Sequence, residues 1–175
     1  MSAVQEAVVV ETLVAPIRAI IGLDLGTACG WAVRREAGIE SSGVVDLKSR
    51  GGDPPGQRLR LFVHFVEQLV GDIGPTVVAY EKVRRHLGTD AAHVYGMFEG
   101  ALEWLCGDFG VRVVPLNVQE IKKFATGKGN ADKVRMVAEA RRMWIDWDRE
   151  RYDHNEADAR WIAELAWQLE FGGVK

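Results

Sequence analysis

The chain has 175 residues, with 22 basic and 25 acidic side chains, a formal net charge of -3 and 47% hydrophobic residues. This composition is that of one soluble globular domain, and roughly 70% of the surface of a chain this long is hidden on folding, so no disulfide or structural metal is needed for stability. The near-neutral net charge excludes a protein whose whole surface is positively charged. No apolar stretch is long enough for a membrane span, and none resembles a signal presequence.

Only two cysteines, Cys29 and Cys106, are present. They are too few for a disulfide framework, and reduced thiols in the cytoplasm are the simpler interpretation. Any nucleic-acid binding would have to come from a local basic patch.

Residues 1–17 are expected to form an N-terminal extension, which could be a flexible segment, a docking arm or a packed cap. Three short apolar runs bounded by glycine follow, over Ala19–Asp24, Cys29–Arg34 and Ile39–Leu47, and they predict three strands joined by tight turns. The glycine- and proline-rich stretch Ser49–Gly56 predicts a loop.

A helix is predicted next, because apolar residues recur at helical spacing at Leu59, Phe62, Val63, Val66, Leu69 and Val70. Thr76–Val83 is predicted as a buried strand, followed by a basic loop. Ala91–Trp104 has the spacing of a second helix, and Val111–Leu116 that of another strand.

An Asn-x-x-Glu signal at Asn117 predicts a short helix that Gly127 ends. A further helix is expected from Asn130 to about Met143, and a last one from Asp153 to Phe171 with Glu156 as its capping partner. The order of elements predicts one α/β domain over residues 18–171, with a mixed sheet of three antiparallel strands followed by parallel ones, and a tail at 172–175.

Three acids stand out on this framework. Asp24 ends a buried strand beside the Gly-x-Asp-x-Gly-Thr turn, so its carboxylate is expected at the carboxyl edge of the sheet, although it could instead cap that turn. Glu81 ends a second buried strand; an ion pair with Arg84 is the alternative to a functional role. Asp158 lies in the last helix among small residues suited to close packing.

Two neighbours share the helix face of Asp158, since His154 and Asn155 precede it by four and three residues. A surface histidine in the first helical turn is an equally good interpretation of His154. If the three acids converge, they form an oxygen-rich pocket that suits Mg²⁺ or Mn²⁺ better than Zn²⁺. Two such ions about 4 Å apart can activate a water and stabilise the leaving oxygen of a phosphodiester.

A basic segment complements this pocket. Residues 121–142 carry seven basic side chains against two acidic ones, in a chain whose total charge is negative. This segregation is typical of a phosphate-binding face, although a solvated helix with spare lysines would look similar. The basic residues are Lys122, Lys123, Lys128, Lys133, Arg135, Arg141 and Arg142.

Four motifs in order resemble the RuvC-type Holliday junction resolvases of the RNase H-like superfamily, particularly their divergent and phage-encoded members. They are IIGLDLGTACGWAV, VVAYEKV, IKKFATGKGNADK and NEADARWIA, and the resemblance spans roughly Ile20–Leu169. It implies an RNase H-like fold and a homodimer that makes paired nicks with 5′-phosphate ends in four-way or other branched DNA, in the cytoplasm of a bacterial or phage-infected cell. It does not indicate whether a branch-migration partner exists.

The same resemblance implies roles for individual residues. Asp24, Glu81 and Asp158 match the family's metal-binding carboxylates, and Lys122 and Lys133 match two lysines near the scissile phosphate. Asn155 stands where the family usually has aspartate or histidine as a fourth ligand, so either Asn155 or His154 could complete the site. Further DNA contacts are expected from the basic residues Lys123, Lys128 and Arg135 of the segment 121–142, and from Arg84 and Arg85. The last two stand in a stretch, Arg84-Arg85-His86, where cellular members of the family often have an aromatic wedge.

Two rival functions follow from the same motifs. The Gly-x-Asp-x-Gly-Thr turn also resembles the phosphate loop of sugar kinases and chaperone ATPases, but those proteins need two such domains. A junction-binding scaffold dimer that has lost hydrolysis through Asn155 is the second rival; retention of all three acids argues against it. The helix Ala91–Leu105, with Tyr95, Met97, Phe98 and Trp104, is a candidate dimer interface, although core packing could account for several of these residues.

Overall fold

The computed structural model describes residues 18–84, 88–145, 147 and 153–172. Its centre is a five-stranded sheet in the order β3-β2-β1-β4-β5. The first three strands pair antiparallel, whereas β4 pairs parallel with both β1 and β5, so the predicted mixed sheet is confirmed. The strands are β1 (Ile20–Asp24), β2 (Ala28–Arg35), β3 (Gly38–Asp46), β4 (Val77–Lys82) and β5 (Arg112–Asn117).

In the part of the chain that the structure describes, five helices cover the two faces of this sheet. Residues that bury their side chains recur every three or four positions along α1, as the sequence predicts, at Phe62, Val66 and Val70. The helices are α1 (Gln57–Ile73), α2 (Thr89–Asp108), α3 (Val118–Thr126), α4 (Lys133–Met143) and α5 (His154–Phe171).

The sheet separates two hydrophobic cores because alternate strand residues point to opposite faces. Ile21, Leu23 and Tyr80 pack with α1 and α2, where the rings of Phe62 and Phe98 stack at 4.4 Å between centroids. Residues of the other face, such as Ile20, pack with α3, α4 and α5.

The predicted start and stop of α3 are confirmed. The Asn117 side-chain oxygen accepts a hydrogen bond from the Gln119 amide at 2.8 Å, and Gly127 ends the helix with a φ of 75°. Such a left-handed conformation is open to glycine at little cost.

Two predictions at helix starts are wrong in detail. Helix α4 begins at Lys133 rather than Asn130, because the carboxylate of Asp132 accepts from the Arg135 amide and caps it there. Asp153 does cap α5, but Glu156 is not its capping partner. The Glu156 carboxylate instead accepts hydrogen bonds from Ser42 and from the Trp147 and Arg160 side chains, and the bond from Ser42 ties α5 to β3.

Several expectations fall outside the described residues, namely the extension at 1–17, most of the tail at 172–175, and Arg85. Across the ranges that are described, no helix is both long and apolar enough to cross a membrane. Both cysteines are free and buried.

Candidate active site

The ends of two adjacent parallel strands place Asp24 and Glu81 side by side. Leu23 of β1 is in register with Tyr80 of β4, so the next residue of each strand is an acid. Neighbouring residues of adjacent strands in register point to the same face of the sheet. Both acids therefore face α5, as expected for two strand ends at one edge.

Helix α5 approaches that edge unusually closely because two strand positions lack a side chain. A Cβ on Gly30 would lie 2.0 Å from the backbone oxygen of Asn155, and one on Gly22 would lie 2.4 Å from that of Ala159. Gly30 is itself the partner of Asp24 in the β1–β2 pair. The contact carries the first turns of α5, and with them Asp158, onto the strand that ends in Asp24.

The electrostatics of the three acids place them within reach of one another. Burial, followed by the charges of Asp158 and Glu81, raises the pKa of Asp24 well above its ordinary value. The pKa of Glu81 is raised by burial and then by Asp158, and burial raises the pKa of Asp158. The sequence-based prediction that these carboxylates come together is thus supported by their mutual influence.

Two lysines complete the electrostatic picture. Lys133, at the first position of α4, lowers the pKa of all three acids against the effect of burial. Lys122, in α3, does the same for Glu81 and Asp158. Both predicted phosphate-contacting lysines therefore lie within electrostatic reach of the carboxylates.

The candidate fourth ligands occupy different surroundings. Asn155 is partly buried in the first turn of α5, where its backbone oxygen lies against Gly30. His154 is exposed, and its Nδ1 lies 4.0 Å from the carboxylate of Asp153. Its positive charge would nevertheless lower the pKa of Asp158, so it lies within electrostatic reach of the site.

The donor set fits a hard divalent cation. Within the described residues, the carboxylates of Asp24, Glu81 and Asp158 receive no hydrogen bond and no ion pair that would satisfy them, and all are oxygen donors. No three histidine, cysteine or acidic side chains of the described ranges stand close enough together to form a finished ligand set. Carboxylates that share a site repel one another, so a bound cation would have to draw these three inward.

The predicted DNA-contacting residues spread out from this edge. Arg84 and Lys122 line a groove of about 520 Å³ together with Lys82, Asn117, Gln119 and Asn130. Lys123 and Lys128 are exposed, and the guanidinium of Arg135 donates to the backbone oxygen of Thr126 at 3.5 Å.

Sequence reasoning missed the glycines as part of the site. Gly22 and Gly30 have no chemistry of their own, and inside a strand a glycine is often only a weak position. The available signal was their combination with Ala157, Ala159 and Ala163 in α5, since small residues on both sides permit close approach of backbone to backbone.

A mixed sheet of this order with acids at its carboxyl edge defines an RNase H-like protein. The family model described as crossover junction endodeoxyribonuclease RuvC matches residues 20–163. A crossover junction endodeoxyribonuclease RuvC of Nitratidesulfovibrio vulgaris is 30% identical over 155 residues, which covers 83% of this chain and 89% of that protein. The chain therefore belongs to the RuvC family.

Solved structures show the same fold. The RuvC structure of Thermus thermophilus matches with a TM-score of 0.72 and 24% identity, over 88% of this chain and 96% of that one. The same protein in complex with a Holliday junction substrate matches with a TM-score of 0.74 and 22% identity, over 89% and 96% of the two chains. The predicted RNase H-like fold and RuvC resemblance are confirmed.

Proposed function

We propose that this protein is a metal-dependent endonuclease that resolves four-way DNA junctions. The observation that supports the proposal is the mutual electrostatic influence of Asp24, Glu81 and Asp158, and of Lys122 and Lys133 upon them, in a chain of the RuvC family. Oxygen ligands for a hard cation next to positive charges for a phosphate are the components of phosphodiester hydrolysis.

Divalent-metal dependence is a general property of the family, and the finer proposal is two Mg²⁺ or Mn²⁺ ions. The resemblance to the family implies that Asp24 would be the carboxylate shared by both ions, and in support of this role Asp24 is the acid whose pKa is raised by both of the others. Asn155 supplies a neutral carbonyl where a charged ligand would bind more tightly, and His154 is the alternative donor. When bound, the ions would supply Lewis-acid activation of water and neutralise the leaving 3′-oxygen.

The chain's own residues have two further tasks in this proposal. Lys122 and Lys133 hold the scissile phosphate and balance the charge that develops on its oxygens. Arg84, Lys123, Lys128 and Arg135 bind phosphates farther along the DNA and fix its register. The products are paired nicks with 5′-phosphate ends.

A homodimer would present two such sites to one four-way junction, because a two-fold axis matches the near symmetry of the DNA. Helix α2 is the candidate interface, but Tyr95 and Phe98 of that helix are buried in the monomer core. Trp104 remains available in that helix, with 58% of its surface exposed. Residues 1–17 are proposed as an extension to the nuclease domain at 18–171.

The test is cleavage of a synthetic four-way junction beside a linear duplex of matched sequence, in Mg²⁺, in Mn²⁺ and with chelator. The wild type should make symmetric nicks confined to the junction and dependent on metal. Asp24→Asn should lose cleavage yet still bind the junction, whereas Asp72→Asn, at an exposed position of α1, should behave as the wild type.

Two outcomes would contradict the proposal. Junction binding without nicks in either metal would favour the scaffold dimer, for which Asn155 is the motivating observation. An Asp24→Asn variant that cleaves as well as the wild type would remove the metal assignment from that carboxylate.

A further inference from the structure

The end of β4 presents different side chains to the two faces of the sheet. Tyr80 and Lys82 point toward α2, where both donate to the carboxylate of Glu99, at 2.7 Å and 2.6 Å. Glu81, between them, points to the opposite face and interacts with Asp158. Helix α2 therefore holds the strand from behind while the acid faces the site.

Tyr95, also in α2, contacts the backbone of this strand end directly. Its hydroxyl donates to the backbone oxygen of Glu81 at 2.9 Å, with a longer contact to the Glu99 carboxylate at 3.4 Å, and accepts from the backbone amide of Val83 at 3.1 Å. One hydroxyl thus holds the main chain on both sides of Lys82. The side chain is almost fully buried, so this geometry is fixed by core packing.

The protonation states suit this arrangement. Burial raises the pKa of Tyr95 to about 12, so the hydroxyl keeps the proton that it donates to Glu81. Burial also raises the pKa of Glu99, but the hydrogen bonds from Lys82 and Tyr80 outweigh it and the net pKa lies below its ordinary value. Glu99 is consequently an anion that accepts both bonds.

We infer that Tyr95 is a positioning residue, whose hydroxyl sets the place of the Glu81 carboxylate for metal binding through the main chain of β4. The inference rests on the proposed function, since it concerns the same metal site. The Glu81 carboxylate belongs to the same residue as the backbone oxygen that Tyr95 holds, so it moves when that oxygen moves. A displacement of about 1 Å at a reacting centre can cost about 10²-fold in rate.

The experiment compares Tyr95→Phe with Tyr80→Phe in the full chain. Each variant removes one buried hydroxyl beside Glu99, but only the hydroxyl of Tyr95 bonds to the backbone around Glu81. Mn²⁺ binding is measured by calorimetry without DNA, and junction cleavage is followed across a Mn²⁺ titration. Tyr95→Phe should weaken Mn²⁺ binding and raise the half-saturating Mn²⁺ concentration for cleavage at least fivefold; Tyr80→Phe should change either by less than twofold.

A second comparison separates positioning from general stability. In a Glu81→Gln background, Tyr95→Phe should no longer change Mn²⁺ binding, because the carboxylate through which it acts is absent. An unchanged Mn²⁺ affinity in Tyr95→Phe, or an equal loss with and without Glu81, would overturn the inference. A wild type that binds Mn²⁺ but cuts no junction would overturn the proposed function instead.

Hydrogen exchange of the wild type gives a test that does not depend on how the variants fold. Val83 lies beyond the last residue of β4, and its amide donates to the Tyr95 hydroxyl. Exchange of this amide should be as slow as that of the strand interior. Exchange at the rate of an exposed loop would show that the bond does not persist, and would overturn the inference.

Discussion

Replacement of Gly30 by alanine tests whether the close approach of α5 sets the geometry of the site. The added Cβ would lie 2.0 Å from the backbone oxygen of Asn155 and 2.4 Å from its carbonyl carbon, whereas ordinary contact begins at 3.4 Å. Both opposing atoms are backbone and cannot rotate away. The first turn of α5 must therefore retreat from β2 by about 1 Å or more, since interiors are too densely packed to absorb the overlap.

The retreat should affect stability and catalysis by different amounts. Overpacking of this kind typically costs about 1–3 kcal/mol, and a chain of this length loses about 2–4 °C in Tm for each kcal/mol. Asp158 lies one turn after Asn155 and moves with it, so junction cleavage should fall by about 10²-fold. Binding of the junction should change little, because the exposed lysines proposed to bind DNA belong to α3 and α4 and not to the first turn of α5.

Thermal unfolding by circular dichroism and single-turnover cleavage at a temperature where all variants are folded measure the two effects. Gly43→Ala is the matched control, since its Cβ in β3 would meet only the side chain of Trp31, at 3.1 Å from Nε1. That ring can shift, and the stability change should stay within about 0.5 kcal/mol. A Gly30→Ala protein with the wild-type Tm and cleavage rate would refute the packing argument.

Three other variants probe charge, phosphate contact and core. The three acids have pKa values raised on folding, so their contribution to the stability of the chelator-treated protein is greatest below their ordinary values of 3.8 and 4.5 and is lost as the pH rises through their raised values. In thermal unfolding across a pH series above those values, Asp24→Asn should therefore lose less Tm with rising pH than the wild type. Lys133→Ala should slow cleavage and should make the plot of log binding constant against log salt concentration less steep by about 0.9, as measured by junction titrations at several salt concentrations. Lys48→Ala, at an exposed position, is the control and should leave both unchanged. Phe62→Ala, which removes a fully buried ring, should cost about 3–5 kcal/mol in denaturant unfolding with an unchanged cleavage rate per folded molecule.

The elements of the fold could be predicted because their signals are local. Apolar spacing identified α1, and Asn117 with Gly127 marked both ends of α3, where a side-chain cap and a left-handed glycine are each readable from one residue. The start of α4 was misplaced because Asn130 and Asp132 are both good capping residues. Only the conformation of the loop before Lys133 decides between them.

Long-range partners could not be read in the same way. Glu156 has the spacing of a capping partner, yet its carboxylate bonds to Ser42, a residue distant in sequence. A capping box stabilises an isolated helix, whereas packing on a sheet offers a buried carboxylate several donors at once. Tertiary contacts therefore determine the role of Glu156, and the local capping signal does not. Tyr95 was missed for the same reason, because its hydroxyl acts on a strand rather than on its own helix.

The acids themselves were predictable because a charged residue directly after a buried apolar strand is unfavourable for folding alone. A strand that ends in a carboxylate behind four buried residues costs stability. Two such carboxylates beside Asp158 of α5 cost more, because Glu81 and Asp158 raise the pKa of Asp24 and Asp158 raises that of Glu81. The close packing of α5 on Gly22 and Gly30 holds them together despite that repulsion. A site built in this way should respond to two opposite changes. Removal of a charge, as in Asp24→Asn, should stabilise the metal-free fold while it abolishes cleavage. Addition of a methyl group at Gly30 should lower both stability and cleavage, because only this change acts on the packing that opposes the repulsion.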